Sequence, residues 1–376
     1  MADVTLSSAV RTNLLSLQST ANALAKTQEK LATGLKVNSA LDDPTAFFTA
    51  SSLNSRANDL SRLQDFVGNS VQTIKAADEG IQAITKLVES AEATARQALN
   101  SASVNASVET SDLNTTPVVV GDDGKQFTVS AGGNTTADIT INTGDDADAI
   151  ATKINAALTA GSVDATATVG DDGKITIEAH GGEDLVVAEG TTTGGAAAIG
   201  LTAGTTEAAE NSDRTAFAAQ FNELRSQIDQ LAADASYNGN NLLAGDSLTV
   251  TFNEDSTSSL TVSGVNFDSS GLGIDASSDT FQKDSDINAA LDDLKAATDT
   301  LRAQASKFGS NLSVVETRQD FTKNLINVLE TGAANLTLAD TNEEGANLLA
   351  LQTRQQLSST SLSLASQADQ NVLRLF

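Results

Sequence analysis

The sequence predicts a mostly α-helical protein that is interrupted by a small β-rich insertion. Apolar residues recur at alternating steps of three and four along several long stretches, which is the spacing of coiled-coil-like helices. Fifteen of the 26 glycines fall between Gly121 and Gly204, where short runs alternate apolar and polar residues as β-strands do. The predicted fold class is long antiparallel helices with paired N- and C-terminal helices, a β-hairpin and a small α+β module.

The two ends of the chain carry matching apolar stripes. Residues 6–35 and 348–376 both step by three and four, so each predicted helix has a stripe to bury and no core of its own. An intramolecular hairpin of the two helices explains this spacing as well as packing between chains does. Thr341 and Glu344 form a predicted capping box at the start of the C-terminal helix. The predicted packing residues are Val10, Leu14, Leu17, Leu24, Leu31, Leu35, Leu348, Leu351, Leu362, Leu364, Val372, Leu375 and Phe376.

Between the ends, the sequence predicts three more helices and a hairpin. Asp43 and Pro44 mark a helix start, because Asp caps the first amides and Pro lacks only an amide that would have no helical partner. Gly332 and the Asn/Thr-rich residues after it are expected to separate the third of these helices from the terminal one. The predicted elements are helices 44–101, 213–235 and 286–330 and hairpin strands 248–252 and 260–262.

Residues 106–207 form the predicted insertion, and they carry much of the chain's net charge of −27. Residues 106–210 hold seventeen Asp and Glu against three Lys, whereas residues 1–60 hold five acids and five bases. The Gly-Asp-Asp-Gly runs at 121–124 and 170–173 are typical of turns before strands, and residues 148–158 are typical of a short helix. A strongly acidic module is expected to face solvent, because copies of it repel one another.

The composition argues against several functional classes. The chain has no Cys and one His, and its paired aspartates precede Pro or Gly, so we predict no catalytic site, no cofactor and no metal site. His180, beside two glycines, is expected to be a solvated turn residue. The acidic charge argues against nucleic-acid binding, no apolar run is long enough to cross a membrane, and no cleavable signal is visible.

Three motifs resemble those of the bacterial flagellin family, the subunits of flagellar filaments. They are Leu31–Pro44, Tyr237–Leu243 and Ala365–Phe376, and they follow one another in the family's order. Residues 138–201 are similar to a β-β-α insertion motif of flagellins and hook-associated proteins. In the familiar arrangement the variable domain follows the hairpin, whereas here the insertion precedes it. We therefore do not infer the position of this insertion from the position of the outer domain in other flagellins.

The resemblance implies a structural subunit that polymerises into the flagellar filament and has no enzymatic activity. It implies export by the flagellar type III apparatus, an extracellular location, and an export chaperone and hook-associated junction and cap proteins as partners. The implied layers are a filament core (1–41 and 342–376), a helical rod with the hairpin (42–105 and 208–341) and a solvent-facing insertion (106–207). Two alternatives remain: a hook–filament junction protein, and an extracellular adhesin on a coiled-coil stalk.

The resemblance also predicts weak recognition by the vertebrate innate receptor for flagellin. Recognised members present a basic and apolar patch of the form Leu-x-Arg-Val-Arg-Glu-Leu-Ala-Val on the first rod helix. Aligned without gaps, Lys86 keeps the first positive charge, whereas Val88 replaces the second Arg. Ser90 replaces an apolar residue and Glu92 introduces a negative charge. We therefore predict that this patch is defective.

Overall fold

The computed structural model describes residues 8–373, and helices dominate this part of the chain. The α-helices are α1 (Ser8–Thr33), α2 (Pro44–Asn100), α3 (Ala147–Ala160), α4 (Gly195–Ala198), α5 (Ser212–Asp234), α6 (Asp284–Thr337) and α7 (Thr341–Leu373). The strands are β1 (Ser107–Glu109), β2 (Gln126–Ala131), β3 (Asn134–Thr135), β4 (Ile139–Thr140), β5 (Ala165–Val169), β6 (Ile175–Ala179), β7 (Leu185–Glu189), β8 (Gly204–Thr206), β9 (Ser247–Thr251) and β10 (Ser259–Ser263). The predicted fold class, long helices with a β-containing insertion and a hairpin, is confirmed.

The chain divides into two compact units. The first comprises the residues up to Asn69, Val250–Leu260 and the chain from Val314 onward, and the second comprises Ser70–Thr249 and Thr261–Ser313. Helices α2 and α6 each contribute residues to both units.

In the first unit, α1 and α7 pack side by side and run in opposite directions. Their adjoining ends are joined by the amide of Ala339, which donates to the carbonyl of Gly34 at 2.9 Å, and by an ion pair between Lys30 Nζ and Glu344 Oε1 at 3.0 Å. Gly34 has a φ of +71°, which ends α1 in the left-handed conformation that glycine adopts without strain.

A second helix pair in this unit buries an apolar cluster. Ala57 and Leu60 of α2 pack with Ile326 and Leu329 of α6, and three partly buried leucines surround them. Helix α2 begins where the sequence predicts, because Asp43 Oδ1 accepts the amide hydrogen of Ala46 at 3.0 Å.

Two predicted details near the start of α7 are wrong. Helix α6 does not end before Gly332 but continues to Thr337, because buried Leu329 and Ala333 flank the glycine and one glycine costs only about 1 kcal/mol. The N-cap of α7 is Asp340, whose Oδ1 accepts the amide of Asn342 at 2.9 Å. The predicted capping box is therefore absent, and Glu344 is instead the ion-pair partner of Lys30.

The insertion lies in the second unit and has its own core. Strands β1, β6 and β5 form one antiparallel sheet in that order. The other sheet has the order β3-β2-β7-β8, with β4 also paired to β2. Alternate residues of β2 and β6 are buried together with one face of α3, as the alternating pattern in the sequence predicts. The insertion is therefore a packed module rather than a loop.

Arg214, near the start of α5, links the ends of three helices of the second unit next to the insertion. Its side chain is 1% exposed, and its Nε and Nη2 donate to the carbonyl of Ser101 at 3.0 and 2.8 Å. Nη1 donates to the carbonyl of Gln282 at 2.8 Å, and Nη2 pairs with Asp284 Oδ1 at 2.6 Å. One guanidinium thus joins the end of α2, the start of α5 and the start of α6.

The turn that precedes β7 approaches the same place closely. The amide of Asp284 donates to the carbonyl of Gly181 at 2.8 Å. Gly182 has a φ of +74°, and a Cβ there would lie 2.1 Å from the carbonyl oxygen of Gln282, so only glycine fits. The segment that packs on this turn is itself strained, because Asp279, Thr280 and Phe281 all have positive φ angles of 43–59°.

Candidate assembly surfaces

The seam between α1 and α7 uses part of the predicted N-terminal stripe. Val10 is buried and Leu17, Leu24 and Leu31 are half-buried, at the steps of seven that the sequence predicts. The intervening seam positions fall one residue earlier than predicted, at half-buried Asn13 and buried Thr20 and Thr27. Leu14 is left 49% exposed.

Thr20 is compatible with this seam because its hydroxyl finds a partner within the helix. The Thr20 hydroxyl donates to the carbonyl of Ser16 at 2.8 Å. Small side chains also let two helices approach closely. The seam is consequently less apolar than a typical coiled coil, and Leu14 takes no part in it.

The predicted C-terminal stripe faces α1 as expected from its spacing. Leu348, Leu351 and Leu362 are half-buried, and the polar residues between them at the same steps are half-buried too. Leu35 is half-buried next to the α1–α7 junction, where it forms a bridge with Leu338. Leu375 and Phe376 lie outside the described residues, as does the side chain of Val372.

Pairing of α1 with α7 leaves a second set of apolar side chains in solvent. Their exposed fractions, between 49% and 67%, belong to Leu14, Leu15, Leu349, Leu357 and Leu364. Single exposed leucines are ordinary on protein surfaces, whereas several on one pair of helices are candidates for contact with another protein. Leu364, which was predicted to pack, is 62% exposed and does not pack on α1.

The residues of the predicted receptor patch lie on α2 but do not all face solvent. Lys86 and Ser90 are exposed, and half-buried Glu92 pairs with Arg96 Nη2 at 2.6 Å. Val88 is 0% exposed, so its inclusion in a surface patch is wrong. It belongs instead to the buried stripe of α2, because it lies four residues from Ile84, which is also 0% exposed.

Residues 8–373 were also examined for metal sites and for membrane-spanning helices. Within them, no group of three or more histidine or carboxylate side chains stands close enough together to hold a metal ion. No helix in the same range is long and apolar enough to span a membrane. His180 lies at the end of β6, half-buried, with its Nε2 3.2 Å from the hydroxyl of Thr166. The helical surfaces are thus the features that remain to be explained.

Comparison with known families explains the helical frame. A family model for the bacterial flagellin N-terminal helical region matches residues 5–114 and 186–247. A second family model, for the bacterial flagellin C-terminal helical region, matches residues 291–376, and together the matches cover about two thirds of the chain. The chain belongs to the bacterial flagellin family. Both α1 and α7 lie in segments that the flagellin models match, and residues 115–185, which interrupt the N-terminal match, lie within the insertion.

Similar curated proteins are also flagellins. The chain is 44% identical over 72 residues to Flagellin C of Rhizobium meliloti, a match that covers 19% of this chain and 22% of that protein. It is 29% identical over 161 residues to Flagellin FljK of Caulobacter vibrioides, covering 43% of this chain and 59% of that protein. The chain thus spans less than two thirds of the length of each of these flagellins.

The sequence did not identify the residues that meet where the insertion joins the helices. Arg214, Gln282 and Gly182 meet although they are far apart in the chain, and no local pattern marks them as partners. Two signals were available: an arginine in the first turn of a helix, and a Gly-Gly pair inside an acidic segment. Neither signal identifies what the residue contacts.

Proposed function

We propose that this chain is a structural subunit that polymerises into the flagellar filament through the paired helices α1 and α7. The observation that carries the proposal is the set of leucines that stays exposed after these helices have paired. Such leucines require further partners, and in a polymer of one chain the partners are the same helices of neighbouring subunits. Membership of the flagellin family supports this function, because flagellins are structural proteins.

The distribution of charge supports the same arrangement. Residues 346–376 contain one acid and two bases, and residues 1–60 are balanced, so many copies of the ends can pack together without strong repulsion. The insertion repels its own copies and is best placed in water. The proposed layers are therefore a core of 1–41 and 342–376, a rod of 42–105 and 208–341, and an outer insertion of 106–207.

We also propose a route by which the chain reaches the filament. The subunit is exported by the flagellar type III apparatus with the help of a chaperone, and it assembles outside the cell between junction and cap proteins. It has no catalytic activity and needs no cofactor. Membership of the flagellin family supports each of these roles. Binding to the chaperone, the junction proteins or the cap protein can be tested separately by co-purification with this chain.

Electron microscopy of purified protein tests the polymer directly. The wild-type chain, depolymerised by heat and then cooled, should form long filaments; short rods or dispersed molecules would refute the proposal. The double variant Leu357→Asp/Leu364→Asp should remain monomeric, because it places charges on the exposed row of α7. A Val120→Asp variant is the matched control, since Val120 is 80% exposed in the insertion.

Deletion of the insertion tests its outward position. A chain that lacks residues 106–207 should still form filaments. The exposed leucines that we propose as contacts between subunits lie on α1 and α7, outside the deleted segment. The diameter of these filaments should be smaller than that of wild-type filaments. Soluble, folded deletion protein that forms no filaments would show that the insertion is part of the polymer contacts.

A further inference from the structure

The loop between α1 and α2 holds one leucine entirely in solvent. Leu41 is 96% exposed, more than any other large apolar side chain among the described residues. The loop is fixed in place, because Asp42 Oδ2 accepts the amides of Asn38 and Ser39 at 3.2 and 3.0 Å and the Ser39 hydroxyl at 3.1 Å. These bonds, the Ser39 amide foremost, favour the carboxylate and lower the pKa of Asp42. Leu41 is thus presented to solvent by a hydrogen-bonded turn.

A groove of about 520 Å³ lies along the first turns of α2, beside the same loop. Its apolar lining comes from Leu35, Val37, Phe47 and Ala50, and polar side chains such as Ser55 complete it. None of the residues that line the groove is charged. Leu41 lies between Val37 and Phe47 in the chain, yet its exposure of 96% shows that it does not fill the groove of its own subunit.

We propose that Leu41 of one subunit inserts into this groove of a neighbouring subunit of the same chain. The inference rests on the proposed filament function and identifies one contact within it. An exposed apolar side chain that fits a groove elsewhere on the same molecule makes a heterologous contact, and such a contact repeats without closing. The same chain supplies both halves, so every subunit in the polymer offers one Leu41 and one groove.

Charge favours a second copy as the occupant. With a net charge of −27, two copies of this chain repel each other wherever acidic surfaces meet. The groove has no charged lining residue, so its lining adds nothing to that repulsion. The fixed turn also limits the entropy lost when Leu41 binds, because the loop is already ordered.

Site-directed cross-linking tests the contact, and the absence of Cys from the native chain makes the test clean. The Leu41→Cys/Ser55→Cys variant is assembled into filaments well above its critical concentration and then oxidised. Denaturing gels should show a ladder of dimers, trimers and longer covalent chains, whereas dilute monomer should stay uncross-linked. The control is Leu41→Cys/Ser61→Cys, because Ser61 is exposed on α2 but does not line the groove, and it should give no ladder.

Any cross-linking result other than a ladder confined to the Leu41→Cys/Ser55→Cys filaments overturns the inference. Covalent dimers alone would indicate a symmetric contact between two Leu41 side chains, and a cross-link in dilute monomer would show that Leu41 reaches its own groove. Filaments that form and do not cross-link would refute this contact and leave the proposed filament function standing. If the wild-type chain forms no filaments, both the function and the contact are refuted.

The critical concentration for assembly gives a second measurement. Leu41→Ala should raise it about tenfold, equivalent to about 1.4 kcal/mol per added subunit. Val120→Ala removes a similarly exposed apolar side chain from the insertion and should leave it unchanged. Equal critical concentrations for the two variants would overturn the inference.

Discussion

Replacement of Arg214 by Met is expected to destabilise the second unit strongly. The variant keeps much of the side-chain length but removes every hydrogen bond to Ser101, Gln282 and Asp284. The carbonyls of Ser101 and Gln282 lose their guanidinium donors at a place where Arg214 is 1% exposed. An unsatisfied buried polar group costs about 1–3 kcal/mol, and two carbonyls lose their donors here, whereas the Asp284 carboxylate is 38% exposed and can be hydrated. We expect a loss near 3–5 kcal/mol.

Urea unfolding followed by tyrosine fluorescence measures this loss. Tyr237 is the only tyrosine of a chain without Trp, and it lies in the second unit, so the signal reports on that unit. With a slope of about 2–3 kcal/mol per molar urea, the midpoint should fall by about 1–2 M.

The matched control is Arg302→Met. Arg302 is 71% exposed and pairs with Asp299 only at 3.9 Å, so its loss should change the free energy of unfolding by less than about 0.5 kcal/mol. If the Arg214→Met and Arg302→Met variants unfold at the same urea concentration, the reasoning is refuted.

Gly182, Asp293, the terminal helices and the receptor patch each allow a further test. Gly182→Ala should destabilise the same unit by about 2 kcal/mol or more, because its Cβ would clash with Gln282 backbone and its φ is positive; the tyrosine assay measures this. Asp293→Asn should raise the free energy of unfolding at pH 7, because burial foremost, and then Asp275, raise the pKa of Asp293. Since folding favours the protonated carboxyl, this advantage should disappear as the pH falls through that raised pKa. Limited proteolysis of monomer should trim α1 and α7, whose polar seam gives little stability, and polymerisation should protect them. A reporter assay for the innate receptor should show a weaker response than a recognised flagellin gives, because Glu92 places a negative charge in the patch.

Each of these predictions has a control or a contradicting outcome. Gly121→Ala should have little effect, because nothing lies within 4 Å of a Cβ there. Asp299→Asn should not stabilise the chain, because its side chain is 71% exposed. Verified monomer with both ends fully protected from protease would contradict the predicted weakness of the terminal pair. A receptor response as strong as that to a recognised flagellin would contradict the prediction for the patch.

The sequence by itself determined the elements whose causes are local. Asp43 and Pro44 start α2 at the predicted residue, because an N-cap and a proline act within one helical turn. The alternation in residues 174–178 predicted β6, since the period of two belongs to the strand itself. The predicted boundaries of the insertion rest on glycine content and charge, and the family motifs rest on short runs of residues.

Only the tertiary structure decided which neighbours those elements meet. Successive residues of a helix point about 100° apart, so an apolar stripe predicts the buried face only to within about one residue. Packing against α7 decides the exact face, and it buries Asn13 more than Leu14. Packing likewise carries α6 through Gly332 and buries Val88. Arg214 meets partners 113, 68 and 70 residues away along the chain. Contacts over such distances depend on how the whole unit folds, because no local pattern encodes which backbone carbonyls will converge on one side chain.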